Sequence, residues 1–221
     1  MLQTQRLLTG ILFLLGTSSS SWSQSLIFSE SFETSSGYSF PLNSGDNGQD
    51  FFDRTDSSGA PSTQVFPYSC FDGSYFIAGE NISAVLGSSV GEVLIKQIPI
   101  NGYSNLTFTA AFASGTDANI DESSDRIWVE ARVDNGSWQT IGAFEADSST
   151  TSGSGFNGQF AEDINLNGYG NGTLLDGKFQ DFSWSIQGNG GLLDLKLSMD
   201  LNSQNEEGAF DAVRISGNLV N

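Results

Sequence analysis

From Arg126 to Val133 the chain alternates strictly, with Ile127, Val129, Ala131 and Val133 on one side and Arg126, Trp128, Glu130 and Arg132 on the other. A period of two sends successive side chains to opposite faces of a pleated strand, so one face is built to be buried and the other to meet solvent. Asn135-Gly136 follows, and both residues accept the positive φ that a type I′ turn requires, which predicts a hairpin returning through Trp138 to Phe144. Trp138, Ile141 and Phe144 do not alternate cleanly, so a bulge is expected in the returning strand.

The same period recurs along the chain. Leu106, Phe108, Ala110 and Phe112 alternate with Thr107, Thr109 and Ala111, Phe182, Trp184 and Ile186 with Ser183 and Ser185, and Leu193 to Leu201 with Asp194, Lys196, Ser198 and Asp200. Further strands are expected at Ser25 to Glu33, Asp50 to Arg54, Gly73 to Glu80, Gly91 to Ile100 and Gly208 to Ser216. The Gly/Ser/Asn-rich stretch from Ala146 to Gly177 carries Phe156, Phe160, Ile164 and Leu166, and is read as a packed crossing loop with at most one short strand. No helix-period segment of useful length appears. About ten strands with one apolar face each make an all-β chain, a two-sheet antiparallel β-sandwich of jelly-roll type.

Met1 to Ser23 has the form of a secretory signal peptide, with Arg6 ahead of the apolar run Leu7 to Leu15 and small residues after it. Residues 24–221 are then one sandwich domain, secreted or periplasmic. The apolar run is about half of the roughly 20 residues that a bilayer demands, so membrane insertion is not expected. The net charge of −18 disfavours nucleic acid, whose affinity for proteins depends on Lys and Arg neutralising phosphates. Cys70 is the only cysteine, so stability comes from packing or a metal and not from an internal disulfide.

Gly87-Ser-Ser-Val-Gly91 fits the pattern of a hydrolase nucleophile turn, but the chain has no histidine to serve as base and no zinc site built on one. Calcium suits this composition better, being a hard cation that takes carboxylate and carbonyl oxygens. Asp117-x-Asn119-x-Asp121 resembles the first half of an EF-hand loop, but Glu122 stands at the turn glycine and Trp128 at the bidentate glutamate, so the EF-hand is rejected. Asp117, Asp121, Glu122 and Asp125 remain either a solvated loop or part of a cation site. Asp211 shares its register with Val213 and Ile215, and Glu30 sits between Phe28 and Phe32 with Glu33 at the strand's end. A buried carboxylate needs a partner, so these residues either share a calcium ion or pair with Arg54 or Arg214.

Phe28-Ser-Glu30-Ser-Phe32-Glu33, the hairpin with its Asp-Asn-Gly-Ser-Trp turn, and Asn205-Glu-Glu-Gly-Ala-Phe210-Asp211-Ala-Val-Arg-Ile-Ser-Gly217 together resemble jelly-roll modules of secreted proteins, similar to galactose-binding-like and carbohydrate-binding-module sandwiches. The resemblance implies a structural calcium tying Glu30 or Glu33 to Asp211. It also implies a polysaccharide or cell-surface glycan as partner. Sugar binding needs an aromatic platform flanked by hydrogen-bonding groups, and Trp128 between Arg126 and Glu130, with Arg132 beyond, is the candidate surface. Trp138 and Trp184 are assigned to the core, and Tyr68, Tyr103 and Tyr169 to a loop rim. The leading reading is a calcium-stabilised, non-catalytic carbohydrate-binding module. The alternatives are a structural or adhesive module that binds protein, and, less favoured, a polysaccharide-processing enzyme.

Overall fold

The computed structural model describes residues 24–56, 58, 66–88, 90–115, 120, 125–147, 158–204 and 206–220. The signal segment 1–23 and the acidic residues Asp117 and Asp121 lie outside the described residues.

Twelve strands and one short helix follow in the order β1 (Ser25–Glu30), β2 (Gly45–Asp46), β3 (Phe51–Thr55), β4 (Phe76–Glu80), α1 (Ile82–Leu86), β5 (Val90–Pro99), β6 (Tyr103–Ser114), β7 (Arg126–Val133), β8 (Gln139–Ala146), β9 (Phe160–Glu162), β10 (Gln180–Ser185), β11 (Leu192–Asp200) and β12 (Glu207–Leu219). Seven form one sheet in the order β10-β6-β12-β4-β3-β2, with β1 pairing β12 beyond the end of β4. The other five form β5-β11-β7-β8-β9. The named strand pairs are antiparallel, so the chain is the two-sheet all-β sandwich that its alternation predicts, with twelve strands among the described residues against about ten expected. The helix α1 was not anticipated.

The inner faces meet in one core. Phe108, Phe112, Phe182, Phe210, Val213 and Ile215 of the seven-stranded sheet pack against Val93, Ile127, Val129, Phe144, Leu195 and Leu197 of the other. Trp184 belongs here, stacked on Phe108 at 5.8 Å between ring centroids and donating its indole N–H to Glu162 at 2.9 Å. A second apolar cluster lies on the outer face of the seven-stranded sheet, where Phe51, Phe76, Ala78, Ala111, Ala113 and Ala209 are covered by Phe66, Tyr68, Phe71 and Phe179. Tyr68 is therefore buried under its own loop and not on a rim, whereas Tyr169 is exposed.

Two register details set the geometry of the candidate sites. The hairpin turn is centred on Asp134-Asn135, one residue earlier than expected: both have positive φ, 49° and 59°, and Gly136 donates to Val133 O at 2.9 Å. The Asp134 carboxylate accepts the Gly191 and Leu192 N–H groups, which anchors that residue in the turn. The expected bulge falls between Val129 and Glu130 against β8. On β12 the pairing with β6 shifts between Asp211 and Arg214, at Ala212 with φ 50°.

Candidate functional site

Inward residues of β7 (Ile127, Val129, Ala131) are buried, so Arg126, Trp128, Glu130 and Arg132 stand together on the outer face of the five-stranded sheet. Trp128 is partly buried, its indole N–H donates to Glu130 Oε2 at 3.2 Å, and the Arg126 guanidinium carbon lies 5.2 Å from its ring centroid. Arg126 is itself held by Glu145 of β8 at 2.7 Å. Burial pushes the Glu145 carboxyl up to about 7, with Arg126 opposing and Asp163 reinforcing the shift.

Residues that the β7 pattern does not contain complete this face. In β11, Asp194 and Lys196 lie opposite Arg132 and Glu130. Lys196 Nζ reaches Glu130 at 2.6 Å and Glu92 of β5 at 3.5 Å. Asp194, with its side chain mostly buried, accepts Arg132 Nε and Nη2 at 2.9 and 2.8 Å, and its other oxygen accepts the Gln97 N–H at 2.8 Å. Trp138 also lies here and not in the core: the Arg132 guanidinium carbon is 4.5 Å from its ring centroid and Lys196 Nζ is 5.1 Å away. The turn sets Ala131 opposite Gln139, a register that puts Trp138 on the side of Arg132 and not opposite Val133. The outcome is a charge lattice carrying two partly buried indoles, an arrangement suited to covering a planar apolar surface while offering donors and acceptors at its edges.

The carboxylates assigned to a metal separate into three places. Glu30 turns back on its own loop, accepting Phe32 N–H at 2.7 Å. Asp125 is buried, with Asn202 Nδ2 3.5 Å from its carboxylate. Glu33 and Asp211 do converge, on the loop after Cys70: Glu33 accepts the Ser74 and Tyr75 N–H groups at 2.8 Å each, and Asp211 accepts Asp72 N–H at 2.7 Å and Ala212 N–H at 2.6 Å. Asp211 points away from the core that Val213 and Ile215 face. The shift at Ala212 breaks the shared register, and Asp211 pairs across to Ala111 of the outer cluster.

Neither arginine proposed as a partner for these acids pairs with Asp211. Arg214 pairs with Asp181, while Arg54 donates to Phe32 O and stacks at 3.8 Å on Tyr75. Burial pushes Asp211 up to about 7, its two backbone donors oppose the shift, and the Asp72 and Glu33 carboxylates add to it. Asp72 is thus a third acid of this cluster, on a loop where no periodicity pointed to it. Among the described residues no group of three or more His, Cys, Asp or Glu side chains is placed to hold a metal ion. The donor chemistry nonetheless fits a hard cation, being carboxylate oxygens without a basic partner among the described residues.

No protein-family model and no curated protein matches the chain. Similar solved structures include TmCBM61 in complex with β-1,4-galactotriose (10% identity, 81% of this chain and 88% of that one, TM-score 0.39). They also include the CBM22-1 xylan-binding domain from Paenibacillus barcinonensis Xyn10C (13%, 89% and 96%, 0.40). A third is a cyclase from Fischerella in complex with 4-(1H-indol-3-yl)butan-2-one (11%, 87% and 90%, 0.45). The functional reading rests on the residues of this chain. Among the described residues no helix is long and apolar enough to cross a membrane.

Proposed function

We propose that this chain is an exported, non-catalytic carbohydrate-binding module that uses the outer face of its five-stranded sheet. The observation carrying the reading is the placement of Trp128 and Trp138 on that face, each partly buried and each fixed by neighbouring charges. An indole held at two or more points loses little freedom on binding, so stacking against a sugar ring keeps more of its gross energy. Arg126, Glu130, Arg132 and Lys196 supply donors and acceptors for hydroxyl groups around it. Calcium belongs to the proposal as a structural ion held by Glu33, Asp211 and Asp72, tying the exit of the first strand to the last.

Affinity electrophoresis through a panel of soluble polysaccharides tests the sugar reading. Retardation by at least one glycan is expected, lost on Trp128→Ala or Trp138→Ala while the Tm holds. Retardation that survives both substitutions places the site elsewhere, and no retardation by any glycan favours the second reading, a module that binds protein. That reading draws on the loop after β9, where Ile164, Leu166 and Tyr169 are exposed close together in sequence.

A further inference from the structure

The chain has eight basic residues against 26 acidic ones, yet Lys96, Arg126, Arg132 and Lys196, half of the basic set, stand on three adjacent strands of one sheet. Arg126 and Lys196 are neutralised where they stand, by Glu145 and by Glu130 with Glu92. The balance differs at the end of the face beside Trp138. A cavity of about 190 Å³ opens there, lined by Lys96, Gln97, Arg132, Asn135, Leu192 and Asp194. It contains two cations and one carboxylate. Asp194 is committed to Arg132 and to the Gln97 N–H, and Lys96 pairs with no carboxylate among the described residues. Among the described residues the cavity lining therefore holds one cation more than it holds carboxylates, inside a strongly negative molecule.

Its construction favours a fixed ligand. Gln97 holds a positive φ of 61° because its N–H is drawn onto Asp194, at the place where the β5–β11 register shifts. Arg132 spends Nε and Nη2 on Asp194, which leaves Nη1 undirected by that pair and locks the guanidinium against the Trp138 ring. Asn135, set in the turn with φ 59°, adds a side-chain amide to the lining. A volume of this size suits one charged substituent and not a whole drug-sized ligand.

We infer that this cavity receives the anionic group of an acidic sugar residue, a carboxylate or a sulfate ester, on a glycan whose ring stacks on Trp138. The inference rests on the sugar-binding reading and narrows its substrate class to acidic polysaccharide. The net charge of the molecule does not forbid it, because screening over about 8 Å at physiological ionic strength leaves the local cavity charge dominant at contact.

Calorimetric titration with hexagalacturonate, a sulfated galactan hexasaccharide and neutral β-1,4-galactohexaose tests the inference, and the two acidic probes separate carboxylate from sulfate. The expected result is at least one acidic probe binding about tenfold tighter than the neutral one, as a charge-assisted hydrogen bond at a partly exposed site delivers. Lys96→Gln, at an exposed position, should bring that ratio close to one, while Lys178→Gln, a cation away from this face, should leave it intact. Equal affinities for all three probes overturn the acidic preference and leave the sugar reading standing. An unchanged ratio in Lys96→Gln, or an equal loss in Lys178→Gln, overturns it as well, the latter by showing diffuse attraction. Failure of every probe, joined to failure of the polysaccharide panel, overturns both readings together.

Discussion

The Arg132 guanidinium lies between the Trp138 ring, 4.5 Å from its centroid, and the Asp194 carboxylate at 2.8 Å, so one side chain joins the hairpin turn to the neighbouring strand. Asp194 is largely withdrawn from solvent, and a mostly buried carboxylate that loses its cation keeps its desolvation cost. Arg132→Ala is expected to destabilise the fold by roughly 2–3 kcal/mol, below the loss at a fully buried pair because Arg132 remains partly exposed. The double variant Arg132→Ala/Asp194→Ala should lose less than the sum of the two single changes. Urea midpoints of the four proteins in the cycle measure this, and strict additivity would show that the two charges act independently.

Gly142 on β8 faces Trp184 across the core, and a methyl group placed on it would overlap the indole ring. Trp184 is fixed on its other sides by Phe108 and by its bond to Glu162, so it has little room to yield. Gly142→Ala should therefore cost about 1–3 kcal/mol as overpacking. Trp184→Phe in the same protein should recover part of that loss. A Gly142→Ala protein with unchanged denaturation midpoint would mean that the two sheets separate more easily than this packing implies.

Strand alternation made the sandwich and the Trp128 face readable because β7 keeps its period without interruption from Arg126 to Val133. Trp138 was assigned to the core because Asn135-Gly136 is the stronger turn pair in isolation, whereas tertiary bonds from Gly191 and Leu192 to Asp134 move the turn back by one residue. Asp211 was misplaced for a related reason. A single residue in the left-handed region at Ala212 inverts the face of everything before it, and an alanine gives no local warning of that conformation. Lys96, Lys196 and Asp194 were not singled out for this face because only cross-strand register brings them to Arg132 and Glu130, and register between distant strands leaves no mark on either strand alone. The outer cluster escaped it too, since Ala78, Ala111, Ala113 and Ala209 occupy positions where an exposed strand face would carry polar residues.

Calcium held by Glu33, Asp211 and Asp72 would bind the folded state alone, so it should raise stability by mass action, by about 2.7 kcal/mol at a hundredfold excess over Kd. Addition of a calcium chelator should lower the Tm and excess calcium should restore it. Asp211→Asn should remove the response to calcium at a modest cost in Tm, because Asp72 and Ala212 donate to different carboxylate oxygens and the single amide oxygen keeps only one of those two bonds. A melting curve that ignores both chelator and calcium rules the ion out.

Glu207 gives the sharpest dependence on pH. It pairs across the sheet with Glu80, lies buried beneath Phe66 and Tyr68, and accepts the Phe66 N–H with both oxygens at 2.9 and 3.1 Å. Burial pushes its carboxyl up to about 8, the Phe66 N–H opposes the shift, and the Glu80 charge adds to it. The folded chain therefore holds a proton on Glu207 that the unfolded chain releases near its ordinary value of 4.5. Where the native state binds more protons, stability falls as pH rises. The contribution of this group is complete below about 4.5 and is lost progressively up to about 8, at up to about 1.4 kcal/mol per pH unit. Glu207→Gln keeps an acceptor for Phe66 and removes the titration. Relative to the unsubstituted protein it should be near neutral at pH 5 and more stable by a few kcal/mol at pH 8. Urea midpoints at the two pH values decide it: a stability difference that does not change between them means that Glu207 is ionised throughout and that its loop carries the charge without cost.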